Sequence, residues 1–436
     1  MESISIFWFR RDLRLHDNAG LYHALQQEHP VLPLFIFDRD ILDELPDRDD
    51  ARVSFIHKTV TKLQQDLHKY GSSLLVKYGR PKEVFKKLME EYQVQAVYTN
   101  RDYEPYARQR DKEIYELLQA QAIHYKSFKD QVIFERNEIM SKSGSPYKIY
   151  TPYKNTWKSA FKPEMVTSYP MKKHFSNLHQ CVPNPVPLQE MNFIPSLIPT
   201  PDPKLATELL QQYAEKRDLP AQDATSRIGP HLRFGTVSVR EAVALAFKHS
   251  EVWLQELIWR EFFMQLLYHF PETAEESFYP KYRGIAWRNN EEEFTRWCEG
   301  KTGFPLVDAG MRELSATGFM HNRVRMVVAS FLIKDLLIDW RWGELYFAQK
   351  LLDYEQASNI GNWQWAAGTG ADAQPYFRVF NPDGQIKKFD KTYAYIKKWV
   401  PEFGTAAYAN PIVDHNFARD RAITAYKKAI AETAAV

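Results

Sequence analysis

The chain has 436 residues, of which 44% are hydrophobic and 26% charged, and its formal net charge is +2. This balance is typical of globular domains, and without a run of about 18 apolar residues it predicts no transmembrane helix. The two cysteines, Cys181 and Cys298, are too few for a disulfide framework or a cysteine metal cage. With no secretory leader pattern at the N-terminus, we expect a cytoplasmic protein.

The first part of the chain alternates short apolar runs with amphipathic stretches. Strands are predicted at residues 4–9, 31–38, 74–77 and 96–99, and helices at 18–27, 51–70 and 81–92. This alternation is typical of an α/β domain with a doubly wound parallel sheet, whose ligands bind at the carboxyl ends of the strands. A glycine-rich dinucleotide fingerprint is missing from this region, so a nicotinamide cofactor is not predicted.

The pattern changes twice more along the chain. Prolines crowd residues 183–203, which predicts a long connector on the surface. Helical periodicity then dominates, with helices predicted at 252–270, 302–317, 322–339 and 342–352. We therefore predict an α/β domain over residues 1–128, a connector over 129–203 and an all-α domain over 204–436.

The most unusual stretch runs from residue 352 to residue 365. It combines the carboxylates Asp353 and Glu355, the amide Asn359 and the indoles Trp363 and Trp365. Buried polar groups need partners, so we interpret this stretch as the edge of a site for a planar redox cofactor. The alternative is a capped helix end followed by core tryptophans.

A second group shares one face of a predicted helix. Glu256, Trp259 and Arg260 are spaced three and four residues apart, which places them side by side. A carboxylate beside an indole suggests a pocket wall that forms hydrogen bonds and stacks. The alternative is a Glu256–Arg260 ion pair beside a core tryptophan.

A third group opens the helix predicted from residue 322. Asn322, Arg325 and Met326 share one face, and Arg323 lies in the same first turn. Cations near a helix N-terminus are unfavourable unless an anion answers them. We therefore expect Arg325 to pair with a carboxylate such as Asp353, and the other polar residues to reach a ligand.

A fourth group precedes a predicted helix start. Thr225, Ser226 and Arg227 offer hydroxyls and backbone N–H groups at this position. Such a terminus can bind a phosphate, although an ordinary helix N-cap is the alternative.

Together these stretches resemble the DNA photolyase and cryptochrome family. The resemblance rests on residues 7–18 (FWFRRDLRLHDN), 256–262 (ELIWREF), 318–326 (GFMHNRVRM) and 352–365. These motifs are long and in order, and the resemblance covers nearly the whole chain. The branch that it indicates is the class I enzymes that repair cyclobutane pyrimidine dimers.

The resemblance implies FAD bound in the all-α domain. Its phosphate region would be held by Tyr213, Thr225, Ser226 and Arg227. The isoalloxazine side would be held by Arg260, Arg325, Asp353, Glu355 and Asn359. An asparagine near the flavin N5 favours repair, since plant cryptochromes have Asp there and insect cryptochromes Cys. One departure is that Glu355 stands where many relatives carry Asp.

The resemblance also implies the activity, light-driven repair of pyrimidine dimers in damaged DNA by electron transfer from excited reduced FAD. The dimer would be flipped out of the duplex. Residues implied to contact the lesion or the DNA are Arg217, Glu256, Trp259, Asn322, Arg323, Met326 and Trp365. An electron chain to oxidised flavin would comprise Trp287, Trp340 and Trp363, for which three core indoles are the alternative.

Some features stay open at this level. Tyr106 and Ala107 stand where folate-binding relatives place an Asn-Glu pair, which argues against a folate site of that kind. For the second, light-harvesting chromophore, a deazaflavin, a second flavin or an empty site stays open. Two other functions compete: a cryptochrome-type photoreceptor without repair, and repair of the six-four photoproduct. The latter would call for a pair of catalytic histidines, of which His321 supplies one candidate. We expect a monomer without a metal ion or a membrane partner.

Overall fold

The computed structural model describes residues 2–434. The chain forms two compact units whose segments alternate along the sequence. The sheet unit comprises Met1–Glu138, Trp157–Pro203 and Arg227–Lys248. The helical unit comprises Ile139–Thr156, Lys204–Ser226 and His249–Val436. The short segment 139–156 therefore belongs to the helical unit, although the rest of that unit begins only at Lys204.

The sheet unit is built on five parallel strands. They are β1 (Ser3–Phe9), β2 (Val31–Asp38), β3 (Leu75–Gly79), β4 (Gln93–Asn100) and β5 (His124–Phe128). Their spatial order is β3-β2-β1-β4-β5, and every neighbouring pair is parallel. This confirms the predicted doubly wound α/β domain.

Helices surround the sheet and build the second unit. The α-helices in chain order are α1 (Ala19–Leu25), α2 (Arg39–Leu42), α3 (Ala51–His68), α4 (Pro81–Glu91), α5 (Pro105–Gln119), α6 (Tyr150–Ala160), α7 (Thr207–Lys216), α8 (Gly229–Arg233), α9 (Val239–His249), α10 (Glu251–His269), α11 (Glu291–Cys298), α12 (Pro305–Thr317), α13 (Asn322–Ser330), α14 (Trp340–Lys350), α15 (Gln356–Ala367), α16 (Pro382–Phe389), α17 (Ala394–Trp399) and α18 (His415–Ala434). Short 3₁₀ segments lie at Pro163–Val166, Met171–Asn177, Leu188–Met191, Pro271–Ala274 and Pro280–Tyr282, and a π-helical turn at Phe331–Asp335.

Alternate residues of β1 enter two apolar cores, one on each face of the sheet. Phe7 and Phe9 pack among residues of α1 and α3, whereas Ile6 and Trp8 pack among residues of α4 and α5. The side chains of a strand alternate between faces, so one apolar run stabilises both layers of helices. The edge strand β5 was not predicted, because its sequence is largely polar and none of its residues is fully buried.

The helical unit has its own large core, centred on α12, α13, α14 and α15. The predicted helix 322–339 is wrong as a single element. It ends at Ser330, passes through the π-helical turn and reaches Leu337, whose φ of 52° is left-handed. A left-handed residue cannot continue a right-handed helix. A new helix, α14, starts where the Asp339 side chain accepts a hydrogen bond from the Arg341 backbone N–H.

Within residues 2–434, the structure contains no helix with the length and apolar character needed to cross a membrane. The same residues bring together no group of three or more histidine, cysteine or acidic side chains that could hold a metal ion.

Candidate functional site

A cleft in the helical unit collects eight of the predicted site residues. Its volume is about 100 Å³, and it lies between α13, α14 and α15. The predicted residues that line it are Asn322, Arg325, Met326, Asp353, Glu355, Asn359, Trp363 and Trp365. Residues from two separate sequence motifs, 318–326 and 352–365, therefore meet at one place.

Arg325 and Asp353 form the ion pair that the sequence predicted. Arg325 Nη2 donates to both carboxylate oxygens of Asp353, at 3.1 and 2.9 Å. Its Nε donates to the backbone O of Met320 at 2.7 Å. The guanidinium plane is thus fixed on two sides, and one carboxylate is held beside the cleft.

The amide of Asn359 is held by a residue that sequence reasoning missed. Its Nδ2 donates to the backbone O and to the carboxylate Oε1 of Glu344, at 3.0 and 2.9 Å. Burial raises the pKa of the Glu344 carboxyl, and the hydrogen bond from Asn359 opposes that rise. Glu344 lies on α14, 15 positions before its partner, and no sequence spacing rule links the two.

Arg260 pairs with Glu355, not with Glu256. Arg260 Nη2 donates to Glu355 Oε1 at 3.0 Å, and the hydroxyl of Ser358 donates to Glu355 Oε2 at 3.3 Å. Both members of the ion pair are largely buried. The predicted alternative of a Glu256–Arg260 pair is therefore wrong, since Arg260 links α10 to the start of α15.

Glu256 pairs instead with Arg217, just after the end of α7. Arg217 Nη1 lies 2.5 Å from Glu256 Oε1, and its guanidinium also lies over the Tyr213 ring, 5.4 Å from the centroid. Both charged side chains keep partial exposure, 22% for Arg217 and 34% for Glu256. A pair of this kind contributes little to stability and can exchange partners when a ligand arrives.

Two indoles of the predicted lesion pocket lie on neighbouring helices. Trp259 is on α10 and Trp365 on α15, and both are half-buried. Trp365 lines the cleft beside Met326 and Asn322. Trp259 is stacked on Tyr150, with 3.6 Å between ring centroids and 9° between planes.

The residues predicted to bind the phosphates, Thr225, Ser226 and Arg227, lie on the loop between α7 and α8. Ser226 is buried, and its hydroxyl accepts a hydrogen bond from Trp253 Nε1 at 3.3 Å. Thr225 precedes it on the same loop. Arg227 has a left-handed φ of 53° and begins the last segment of the sheet unit. Trp253 is a further residue that sequence analysis did not single out.

The tryptophans of the predicted electron chain belong to one apolar cluster. Trp340 and Trp363 are fully buried in it, and Trp287 packs against it. Trp363 also contacts Trp297 and Phe347, at 6.3 and 5.0 Å between centroids. The order of electron transfer among these rings stays a prediction.

The first turn of α13 is neutralised by partners. Arg323 Nη2 donates to Asp218 at 2.9 Å, and its guanidinium lies 4.4 Å from the Phe389 ring centroid. His321 caps the helix, since its Nδ1 accepts from the Arg323 backbone N–H at 3.2 Å. This histidine therefore has a structural role in addition to its position near the site.

Comparisons with known proteins identify the family. The model of the FAD binding domain of DNA photolyase matches residues 253–406, and the DNA photolyase model matches residues 5–172. A deoxyribodipyrimidine photo-lyase of Synechococcus sp. is 38% identical over 98% of both chains. The chain belongs to the DNA photolyase family.

Solved structures of the family agree with this assignment. A bacterial class III photolyase from Agrobacterium tumefaciens has a TM-score of 0.88 and 34% identity, with 98% of each chain covered. An archaeal photolyase from Sulfolobus tokodaii, described with two FAD molecules, has a TM-score of 0.86 and 36% identity, covering 97% of this chain and 99% of that one. The assignment to class I specifically stays a prediction.

The chemistry of the cleft fits the FAD that the family model implies. Arg325 with Asp353 and Arg260 with Glu355 place paired charges at the cleft, and Asn359 adds an amide. These groups suit the polar edge of a flavin, while Trp365 and Met326 supply apolar contacts. The cleft is smaller than the usual 300–1,000 Å³ of a ligand pocket, so a tricyclic ring would fit here only if the lining side chains moved apart.

Tyr106, which stands where folate-binding relatives place an Asn-Glu pair, forms a hydrogen bond to a carboxylate. The Tyr106 hydroxyl donates to Asp38 Oδ2 at 2.7 Å, at the carboxyl end of β2. Burial and this carboxylate raise the pKa of the Tyr106 hydroxyl. A larger cleft of about 1,100 Å³ runs along α3 in the same unit and includes none of the predicted site residues.

Proposed function

We propose that this protein repairs cyclobutane pyrimidine dimers in DNA when illuminated. The observation that carries the proposal is the shared cleft. Asn322, Met326 and Trp365, expected to contact the lesion, line the same walls as Asp353 and Asn359, expected to contact the flavin. A dimer bound there would lie against the cofactor, and electron transfer requires that proximity.

The cofactor supplies the electron chemistry, since reduced FAD excited by light can donate one electron to a dimer and recover it afterwards. The chain's own residues bind and orient. Trp259 and Trp365 offer aromatic surfaces on which an extruded pyrimidine can stack. Their positions on two rigid helices fix where the dimer lies.

Glu256 supplies a hydrogen-bond acceptor at the base edge. It is held by Arg217 in this structure, and both side chains remain partly accessible. On binding, we expect the carboxylate to accept a hydrogen bond from a pyrimidine N–H, while Arg217 turns to a backbone phosphate. Binding should therefore weaken as the salt concentration rises.

Asn359 and the Arg325–Asp353 pair hold the flavin side. The Asn359 amide nitrogen is directed at Glu344, which leaves its carbonyl oxygen for the cleft. We assign to this oxygen the role of an acceptor beside the flavin N5. The buried Arg260–Glu355 pair would then close the other side of the ring.

Repair of the six-four photoproduct receives less support from the geometry. His321 Nδ1 accepts a backbone hydrogen bond at the start of α13. Protonation of this nitrogen during acid-base chemistry would break that hydrogen bond and remove the helix cap. Trp363, Gln364 and Trp365 supply no second histidine. A photoreceptor without repair activity would use the same cofactor site, so only an experiment distinguishes it from a repair enzyme.

The deciding experiment is repair of a defined substrate. The purified protein is photoreduced without oxygen and illuminated with an oligonucleotide that contains one thymine dimer, while the absorbance of restored thymines is followed. We expect recovery in light, none in darkness, and a strong reduction for Glu256→Ala and Trp365→Ala. Photoreduction without repair would overturn the proposal in favour of a photoreceptor. Gel filtration of the same sample tests the expected monomer.

A further inference from the structure

The indole of Trp259 has a second aromatic ring lying flat against it. Tyr150, in the first turn of α6, is 5% exposed, and its ring centroid lies 3.6 Å from that of Trp259 with an angle of 9° between planes. Such close parallel overlap covers one face of the indole. Phe263 also lies against the indole, 5.4 Å between centroids at 28°, so a base can stack only on the surface that Tyr150 and Phe263 leave uncovered.

Tyr150 is fixed at both ends. Its hydroxyl donates to the backbone O of Gln255 on α10, at 2.8 Å. Its backbone N–H donates to Asp372 Oδ2 at 3.1 Å, in the turn that follows α15. Burial raises the pKa of the hydroxyl, and the Glu256 carboxylate adds to the rise, so the group stays a donor at neutral pH.

These contacts join the two helices that carry the indoles. Trp259 belongs to α10, and Asp372 lies five residues beyond Ala367, the last residue of the helix that carries Trp365. One tyrosine thus backs the first indole and is tied to the helix end of the second. Tyr150 adds to the direct packing of α10 on α15, where Arg260 also binds Glu355.

We infer that Tyr150 is a positioning residue for the flipped-out pyrimidine dimer. It backs the Trp259 indole, on which a pyrimidine of the dimer would stack. The inference rests on the proposed repair function, because it concerns how that same pocket recognises its substrate. A tyrosine that only filled the core would affect stability but not the choice between damaged and intact DNA.

The test measures discrimination, the ratio of the Kd for an intact oligonucleotide to the Kd for the same oligonucleotide with one thymine dimer. Tyr150→Leu keeps an apolar side chain but removes the ring, and we expect discrimination to fall roughly three- to tenfold. Tyr150→Phe keeps the stack and should stay within about threefold of the parent. The matched control is Tyr153→Leu, since Tyr153 is equally buried on α6 and contacts Phe262 of α10.

A double-mutant cycle separates positioning from general packing. If Tyr150 acts through Trp259, Tyr150→Leu should change discrimination little in a Trp259→Ala background. FAD content and the melting temperature are measured for every variant. Unchanged discrimination in folded Tyr150→Leu, or an equal loss in Tyr153→Leu, would overturn the inference. If Tyr150→Leu does not fold, Tyr150→Met replaces it as the variant without a ring, and unchanged discrimination in Tyr150→Met would overturn the inference.

Failure of the Tyr150 inference can be distinguished from failure of the proposed repair function. A parent protein that neither repairs nor prefers damaged DNA would remove the function, and the inference with it. A parent that repairs normally, together with a Tyr150→Leu variant that discriminates equally well, would remove the inference alone.

Discussion

Glu344 directs the amide of Asn359. The Asn359 nitrogen faces two oxygen acceptors of this residue, its backbone O at 3.0 Å and its carboxylate Oε1 at 2.9 Å. Both acceptors demand a donor, so the amide nitrogen must face Glu344 and the carbonyl oxygen must face away. A residue on α14 thus determines which atom of Asn359 is presented to the cleft.

We predict that Glu344→Leu weakens FAD binding about five- to tenfold. The substitution removes one of the two acceptors and lets the amide rotate, a loss of about 1 kcal/mol for a neutral hydrogen bond. Glu344→Gln keeps a side-chain oxygen and should bind FAD within about twofold of the parent. Titration of the apoprotein with FAD, followed by flavin fluorescence, gives the affinities. Equal affinity for Glu344→Leu would show that the amide needs no support.

Arg325→Gln should release FAD and destabilise the helical unit. The change breaks the contact with Asp353 and leaves that carboxylate without its cation, for a cost of about 2 kcal/mol. Arg325→Lys retains charge but lacks the planar fork that reaches both Asp353 oxygens and Met320 O, so an intermediate loss is expected. FAD content after purification and the urea midpoint measure the two effects. A parent-like midpoint for Arg325→Gln would contradict this account.

The predicted electron chain gives a test that separates photoreduction from repair. Trp340→Phe and Trp363→Phe should slow light-driven reduction of oxidised FAD at least tenfold, because phenylalanine is much harder to oxidise than tryptophan. Repair by chemically reduced protein should persist. Trp297→Phe is the control, since Trp297 is buried in the same cluster and contacts Trp363 but lies outside the predicted chain. If only Trp297→Phe slowed photoreduction, the electron would pass through Trp297 and the predicted chain would be wrong.

His231 should make the sheet unit sensitive to acid. Its Nε2 donates to Pro201 O at 2.8 Å, and its Nδ1 shares a hydrogen bond of 2.7 Å with the Thr236 hydroxyl, so the neutral ring satisfies both nitrogens. Burial lowers the pKa of this histidine. The unfolded chain, with an ordinary histidine pKa of about 6.5, then binds more protons, so this stability is present above pH 6.5 and lost as pH falls through the folded pKa.

The measurement compares urea midpoints at pH 7.5 and 5. The parent should lose more stability on acidification than His231→Gln, which cannot titrate at this position. His68→Gln, at an exposed site of α3, should keep the parent's dependence. Identical pH dependence in the parent and His231→Gln would contradict the prediction.

Sequence reasoning succeeded where charge or periodicity leaves a local mark. The cationic first turn of α13 required an anion, and Arg325 binds Asp353 as predicted. Alternating apolar runs predicted the parallel sheet. The edge strand β5 was not predicted, because a strand that buries few side chains needs no apolar pattern. The turn at Leu337 was not predicted either. A glycine would have indicated a left-handed backbone, whereas a leucine gives no such signal.

Pairings between distant residues could not be predicted from one sequence. Glu344 sits in an amphipathic helix like many other glutamates, and only the approach of α14 to α15 brings it to Asn359. The same holds for Arg260, which had a plausible partner four residues away in Glu256 yet binds Glu355. Local spacing defines what can pair, and tertiary packing selects among the choices.

Residues 139–156 belong to the helical unit but are synthesised long before the rest of it, which has a consequence for folding on the ribosome. Tyr150 leaves the ribosome about a hundred residues before Trp259, which at 5–20 residues per second is a delay of roughly 5–20 s. During that interval its aromatic ring has no platform to cover. Nascent chains paused before α10 should therefore expose this segment to proteases, and a fragment that starts at residue 204 should need residues 139–156 supplied as a separate peptide.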